Sequence, residues 1–149
     1  MRMIAADQPL LCLQRCEEYE MKGGCLCGAV RYETNAPPMA TAICHCTHCQ
    51  RISGSAFSVN VLVPRDRLSI SGTPSEYQDQ GDSGAPVLRY FCPTCGSSLM
   101  SVLSSGLAAV KAGTLDVASE LIPTAQFWTR SAQKWSASIP GLSALETQG

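Results

Sequence analysis

Clustered cysteines constrain this chain more than any other feature of its 149 residues. Seven of its 9 cysteines fall into three short clusters: Cys25 and Cys27; Cys44, Cys46 and Cys49; and Cys92 and Cys95. Cysteines separated by one or two residues can present both sulfur atoms to one metal ion. Acidic residues, rather than a small-residue cleavage site, follow the short apolar patch near the N-terminus, so we predict no secretory signal. We therefore expect a cytoplasmic protein whose cysteines bind metal rather than form a disulfide framework.

The balance of charges argues against two classes of partner. Lys plus Arg number 11, Asp plus Glu number 12, and no basic run stands out. Because nucleic-acid binding needs a basic face to meet phosphate, we predict no nucleic-acid partner. No apolar stretch reaches the length of a transmembrane helix, so we predict no membrane partner. With 45% hydrophobic residues, the chain suits a single soluble domain, and the sequence does not indicate its oligomeric state.

Short alternating runs between turn residues predict a mainly β, antiparallel fold. The clearest run covers residues 57–63, where Phe57 and three valines alternate with Ser58, Asn60 and Leu62. Further strands are predicted, in chain order, at residues 30–34, 68–70, 87–91, 99–103, 108–111 and 124–129. One helical turn is predicted at residues 47–52.

The two ends of the chain differ from its middle. Residues 1–22 are predicted to form an extension with a short helix, and residues 141–149 a peripheral tail, around a zinc-binding domain at 23–140. Cys12 and Cys16 would lie on one side of the N-terminal helix. We interpret them as packing residues and leave them out of the sites, with a disulfide or an auxiliary ligand as the alternatives.

The first and last cysteine pairs predict one closed metal site. Each pair ends in a glycine, Gly28 or Gly96, which permits the tight turn that aims backbone N–H groups at thiolates. Together the pairs supply four thiolates, the set expected of a structural zinc: Cys25, Cys27, Cys92 and Cys95. Such an ion would join distant parts of the chain and contribute directly to the free energy of folding.

The middle cluster, Cys44, Cys46 and Cys49, predicts a zinc site with an open position. No fourth cysteine lies nearby, and a zinc with three protein ligands keeps one position for water or substrate. Because zinc is thiophilic, we expect a substrate thiol to bind as the fourth ligand. Alternation along an extended segment turns His45 away from the metal. His48 is the residue that could close the site and make a second structural zinc, and this alternative stays open.

Charge at the open site calls for a nearby cation. Three thiolates and Zn²⁺ sum to −1, and a bound substrate thiolate makes −2. Arg51, two residues after Cys49, is the candidate to offset this charge or to meet a substrate carboxylate. Its alternative role is that of an exposed, solubilising arginine.

These motifs, in this order, resemble those of the family of glutathione-dependent formaldehyde-activating enzymes, which also contains centromere protein V-like domains. The similarity runs from Gly23 to about Pro140. It rests on residues 24–32 (GCLCGAVRY), 44–51 (CHCTHCQR), 53–55 (SGS), 91–99 (FCPTCGSSL) and 112–116 (AGTLD), and on Phe127, Trp128 and Trp135. Two features depart from the family pattern: the N-terminal extension, and Gln126, which stands where many members have histidine.

The resemblance implies a β-tent fold of small antiparallel sheets stapled by zinc. It implies two Zn²⁺ per chain, a structural ion on Cys25, Cys27, Cys92 and Cys95 and a catalytic ion on Cys44, Cys46 and Cys49. The implied activity joins glutathione, as co-substrate, to formaldehyde and gives S-hydroxymethylglutathione; in the reverse sense it is a carbon–sulfur lyase. Arg51 and Ser55 are assigned to substrate binding. The competing hypothesis is a non-catalytic zinc scaffold or protein-interaction domain.

Overall fold

The computed structural model describes residues 19–136 and 139–148. Most of the predicted N-terminal extension, with Cys12 and Cys16, lies outside these residues. The strands within the described part are β1 (Met21–Gly24), β2 (Arg31–Thr34), β3 (Ala40–Cys44), β4 (Ser58–Pro64), β5 (Leu68–Ser71), β6 (Ser75–Gln80), β7 (Pro86–Phe91), β8 (Ser98–Leu103), β9 (Leu107–Lys111), β10 (Ala125–Phe127) and β11 (Ser143–Ala144). One α-helix, α1 (Thr47–Ser53), follows β3.

The strands form two sheets. Antiparallel β1, β2 and β5 make a three-stranded sheet in the order β1-β2-β5. The other sheet has eight strands in the order β11-β10-β3-β4-β9-β8-β7-β6. Its pairings are antiparallel except those of β10, which runs parallel to both β3 and β11. The prediction of a mainly β fold is confirmed, whereas the parallel pairings of β10 were not predicted.

The last predicted strand is shorter than expected. Residues 124–129 were predicted as a strand, but β10 covers only Ala125–Phe127. Trp128 adopts a left-handed backbone conformation with φ 58° and ψ 40°, and a 3-10 turn follows at Thr129–Ser131. An extended strand cannot continue through a residue in that conformation.

Side chains along the central strands of the large sheet point alternately to two faces, and one of these faces packs into the core. Val61, Val110 and Met100 are register partners on adjacent strands and are fully or almost fully buried. They pack in one hydrophobic cluster with Met21 and Tyr32 from the small sheet. The core therefore lies between the two sheets, and the alternate residues of β4, β7, β8 and β9 point to the other face of the large sheet.

Within the described residues, no helix has the length and the apolar character needed to cross a bilayer.

Candidate functional site

The first and last cysteine pairs meet in space. Cys25 and Cys27 lie in the turn after β1, and Cys92 and Cys95 lie in the turn between β7 and β8. Their four Sγ atoms are within 4.8 Å of one another. The Sγ atoms of Cys25 and Cys27 are 3.6 Å apart, and those of Cys27 and Cys92 are 3.7 Å apart. Because Zn–S bonds of about 2.3 Å at tetrahedral angles place sulfurs about 3.8 Å apart, this donor set fits a four-thiolate zinc site.

The backbone around this cluster forms tight turns, and backbone amides donate hydrogen bonds to its sulfurs. Gly28 and Gly96 adopt positive φ values of 80° and 76°, as predicted for the residue after each pair. The amide of Val30 donates to Cys25 Sγ at 3.2 Å. Hydrogen bonds from the side chain and the backbone of Ser97 lower the pKa of the Cys95 thiol to about 5, which favours the metal-binding thiolate. An ion bound here would join the small sheet to the large one.

The three remaining clustered cysteines meet where β3 passes into α1. Cys44 ends β3, and Cys46 is the N-cap of α1, with its Sγ accepting a hydrogen bond from the Cys49 amide at 3.3 Å. The three Sγ atoms lie within 4.8 Å of one another. Gly54 ends the helix in the left-handed conformation. The predicted helical turn at 47–52 is confirmed, and it places Cys46 and Cys49 on the same side of this loop.

Neither histidine of the motif lies in this three-thiol cluster. The His45 side chain is buried, and its Nε2 is 3.0 Å from Gln126 Oε1. The His48 ring faces two carboxylates instead, with Nδ1 2.8 Å from Asp79 and Nε2 3.2 Å from Asp82. The position of His48 therefore favours three protein ligands over four.

The three thiols cannot all ionise easily in the absence of a metal ion. Hydrogen bonds from Cys44 and then Cys46 lower the pKa of Cys49, and the positive charges of Lys111 and Arg89 act in the same direction. The pKa of Cys44 is raised, first by its hydrogen bonds to Cys46 and Cys49 and then by burial. One thiolate therefore forms first, and a divalent cation would supply the charge that stabilises the other two.

A cavity of about 210 Å³ opens beside the three thiols. Its wall is the second face of the large sheet, since side chains two residues apart on neighbouring strands line it: Ala42, Cys44, Asn60, Leu62, Val87, Arg89, Ser101, Leu103, Ala109 and Lys111. Phe127 and Trp128 close another side. The cavity thus combines soft ligands, largely apolar walls, two buried cations and the carboxylate of Asp82, which is the composition of a small-molecule site.

The two cations differ in their surroundings. Arg89 is 5% exposed and forms an ion pair with Asp79, at 2.7 Å from Nη2, and a hydrogen bond to Ser101 Oγ at 3.1 Å. Lys111 is 7% exposed, and its Nζ donates to Ser58 Oγ at 2.9 Å and to Asn60 Oδ1 at 2.8 Å. Arg89 therefore has its counter-ion within the fold, whereas the hydrogen-bond acceptors of Lys111 are neutral.

Trp128 carries an unusual backbone conformation beside the cysteines. Among the described residues it is the non-glycine residue with positive φ, and its indole packs against Cys46 and Cys49. The guanidinium carbon of Arg130 lies 4.9 Å from the centre of the indole ring. A bulky residue held in this conformation costs about 1–3 kcal/mol, and such strain is concentrated at functional sites.

Arg51, within α1, and Ser55, which follows the helix, are exposed and are not among the residues that line this cavity. Their role in substrate binding stays a prediction. The sequence analysis did not single out four polar residues that line the cavity: Asn60, Arg89, Ser101 and Lys111. Their signal was present as polar residues on one face of strands whose other face is mostly apolar. The strand order, which makes them neighbours, could not be read from the sequence.

Comparison with known proteins agrees with the geometry. Residues 20–131 match the family described as glutathione-dependent formaldehyde-activating enzyme. A Halomonas elongata protein named for this family is 33% identical over 84 residues, which are 53% of this chain and 54% of that protein. A Penicillium rubens protein of the same name is 35% identical over 77 residues, 50% of this chain and 40% of that protein. The chain thus matches about half or less of the length of these relatives.

A crystal structure of a Rhodobacter sphaeroides protein has the same fold. It superposes with a TM-score of 0.52 at 22% identity and covers 69% of this chain and 92% of that one. The family match covers most of the present chain, including all seven clustered cysteines. The chain belongs to the glutathione-dependent formaldehyde-activating enzyme family.

Proposed function

We propose that this protein is a zinc-dependent carbon–sulfur lyase that makes and breaks the S-hydroxymethyl adduct of glutathione and formaldehyde. One observation carries the proposal: the Cys44, Cys46 and Cys49 thiols form the rim of a cavity, and within the described residues no fourth histidine, cysteine or carboxylate joins their cluster. A purely structural zinc site would be expected to have four protein ligands.

The two cysteine clusters take different roles in this proposal. Cys25, Cys27, Cys92 and Cys95 hold a structural ion that joins the sheets, while Cys44, Cys46 and Cys49 hold a second ion at the cavity. When bound there, zinc would act as a Lewis acid that lowers the pKa of a thiol and so favours its nucleophilic form at neutral pH.

Other residues of the chain position the three sulfurs and shield them from water. The α1 helix and the end of β3 fix the three sulfurs on one side of the cavity. The side chains of Phe127 and Trp128 cover them and limit the access of water. Gln50 anchors the cysteine loop, because its Nε2 donates to the carbonyl oxygens of His45 at 2.6 Å and Ser131 at 2.9 Å. The thiol and the aldehyde would thereby be held close to one another, which lowers the entropic part of the barrier.

Cys46→Ser tests this function, with Cys95→Ser as the matched variant at the structural cluster. We expect wild-type protein to bind two zinc ions and to accelerate exchange between glutathione, formaldehyde and their adduct, followed by exchange NMR. Cys46→Ser should bind one zinc, keep its thermal unfolding temperature within about 3 °C, and lose the acceleration. Cys95→Ser should instead lose stability.

The scaffold hypothesis makes the opposite forecast. If both metals are structural, the two substitutions should lower the unfolding temperature by similar amounts, and wild-type protein should not accelerate the exchange. X-ray absorption on the wild type gives an independent check. A protein nitrogen as fourth ligand on the Cys44–Cys46–Cys49 ion would contradict the proposed open position.

A further inference from the structure

Lys111 is a buried lysine whose ammonium group has no carboxylate counter-ion among the described residues. It ends β9, opposite Asn60 of β4 in the register, and its side chain is almost completely buried. Within residues 19–136 and 139–148, no carboxylate oxygen lies within 4.0 Å of its Nζ. Because an uncompensated buried charge is costly, a fold that retains one needs negative charge in the adjoining cavity.

The surroundings of Lys111 are built to hold a charged donor. Ser58 Oγ accepts a hydrogen bond from Lys111 Nζ and donates one to Asn60 Oδ1 at 3.0 Å. Asn60 Nδ2 in turn donates to the Ser58 carbonyl at 3.3 Å, which fixes the amide with its oxygen toward the ammonium. An ammonium has three N–H donors. Two are used here, and the third has no acceptor among the described residues.

The charges around the cavity indicate which group the third N–H of Lys111 can bind. Three thiolates and Zn²⁺ would sum to −1, and Lys111 would bring the total of these groups to zero. Asp82 also lines the cavity, with its carboxylate 3.2 Å from His48 Nε2. Arg89 adds nothing to this sum, since Asp79 neutralises it. The resting site therefore has no surplus positive charge for a substrate carboxylate. A substrate thiolate makes the total −1, and this charge moves from sulfur to oxygen when a carbon–sulfur bond forms.

We propose that Lys111 is a catalytic residue that stabilises the carbonyl oxygen of the aldehyde as it becomes negative. This inference rests on the proposed function and adds a residue to it. The thiolate sulfur forms a bond to the carbonyl carbon, and the electron pair of the C=O bond moves onto oxygen. The third N–H of Lys111 donates a hydrogen bond to that oxygen. A proton equivalent to the one released by the thiol reaches the oxygen through water, which gives the neutral hemithioacetal and leaves Lys111 charged.

Lys111→Met tests this role, because methionine keeps most of the side-chain volume and removes the donor. Loss of one oxyanion donor lowers kcat by about 10²–10³-fold. We expect a decrease in kcat of about 100-fold for adduct exchange, with zinc content unchanged and the Kd of glutathione, measured by calorimetry, within about threefold of the wild-type value. Lys134→Met, at an exposed lysine, is the control and should leave all three quantities unchanged.

The results that overturn the inference are distinct from those that overturn the proposed function. An active wild type with an equally active Lys111→Met variant rejects the role of Lys111 alone. So does a weaker Kd with unchanged kcat, because Lys111 would then bind a substrate charge in the ground state. An inactive, two-zinc wild type rejects the lyase function and this inference with it. If Lys111→Met does not fold, Lys111→Gln keeps a neutral donor near Ser58 and Asn60 and removes only the positive charge. Its kcat should then fall by less than that of Lys111→Met, and an unchanged kcat rejects the role of Lys111.

Discussion

Cys95→Ser separates metal ligation from packing in the four-cysteine cluster. Cys92 is fully buried in the core, so its substitution would disturb packing as well as ligation. Cys95 is half-buried, and its thiol contacts the Ser97 hydroxyl at 3.2 Å. A serine there changes one ligand and little else, and any large effect can be attributed to loss of the metal.

The size of the effect follows from what the cluster joins. The two pairs come from the β1–β2 turn and the β7–β8 turn, which belong to different sheets. Structural zinc contributes about 10 kcal/mol or more in small zinc domains, whereas a whole domain is stable by about 5–15 kcal/mol. Loss of even half of the zinc contribution removes about 5 kcal/mol, which lowers Tm by about 10–20 °C in a chain of this length.

Thermal unfolding of the zinc-loaded proteins, followed by circular dichroism, measures this change. Wild-type protein treated with a strong chelator should unfold near the temperature of Cys95→Ser, because both lack the same ion. Added zinc should raise Tm for the chelated wild type and have little effect on the variant. A Cys95→Ser protein that keeps two zinc ions and unfolds within about 3 °C of the wild type would refute the role of this cluster as a staple.

Two further predictions concern residues beside the cavity. Trp128→Gly should be more stable than Trp128→Ala by about 1 kcal/mol in urea unfolding, because both remove the indole and only glycine accepts φ 58° without strain; equal stabilities would mean that Trp128 is not strained. Although burial opposes ionisation of Asp79, hydrogen bonds from His48 and Arg89 lower its pKa. This carboxylate therefore stabilises the fold above about pH 4, and the advantage disappears as the pH falls through its folded pKa. The stability difference between wild type and Asp79→Asn should accordingly shrink between about pH 5 and pH 3, and a difference independent of pH would contradict the ion pair.

The sequence alone predicted the two cysteine groups that the structure contains and most of the strands. Cysteines two or three positions apart are kept near one another by local chain geometry, and the Sγ atoms of Cys44, Cys46 and Cys49 do lie close in space. The glycines after the first and last pairs likewise specified local turns, which the structure contains as Gly28 and Gly96 with positive φ. The α1 helix and the strands at β7, β8 and β9 followed from periodicity, which depends only on neighbouring residues.

Only the tertiary structure decided which residues surround the three thiols. His48 could have been a ligand by spacing, but Asp79 and Asp82 from the β6–β7 region hold its ring elsewhere. Arg51 was the nearest cation in sequence, yet Lys111, 62 positions after Cys49, lines the cavity. Pairing of β4 with β9 places Lys111 beside Asn60, and such pairings depend on long-range register, which local patterns do not encode. The chain's local chemistry therefore specified where thiols cluster, and its topology specified the charge and the space around them.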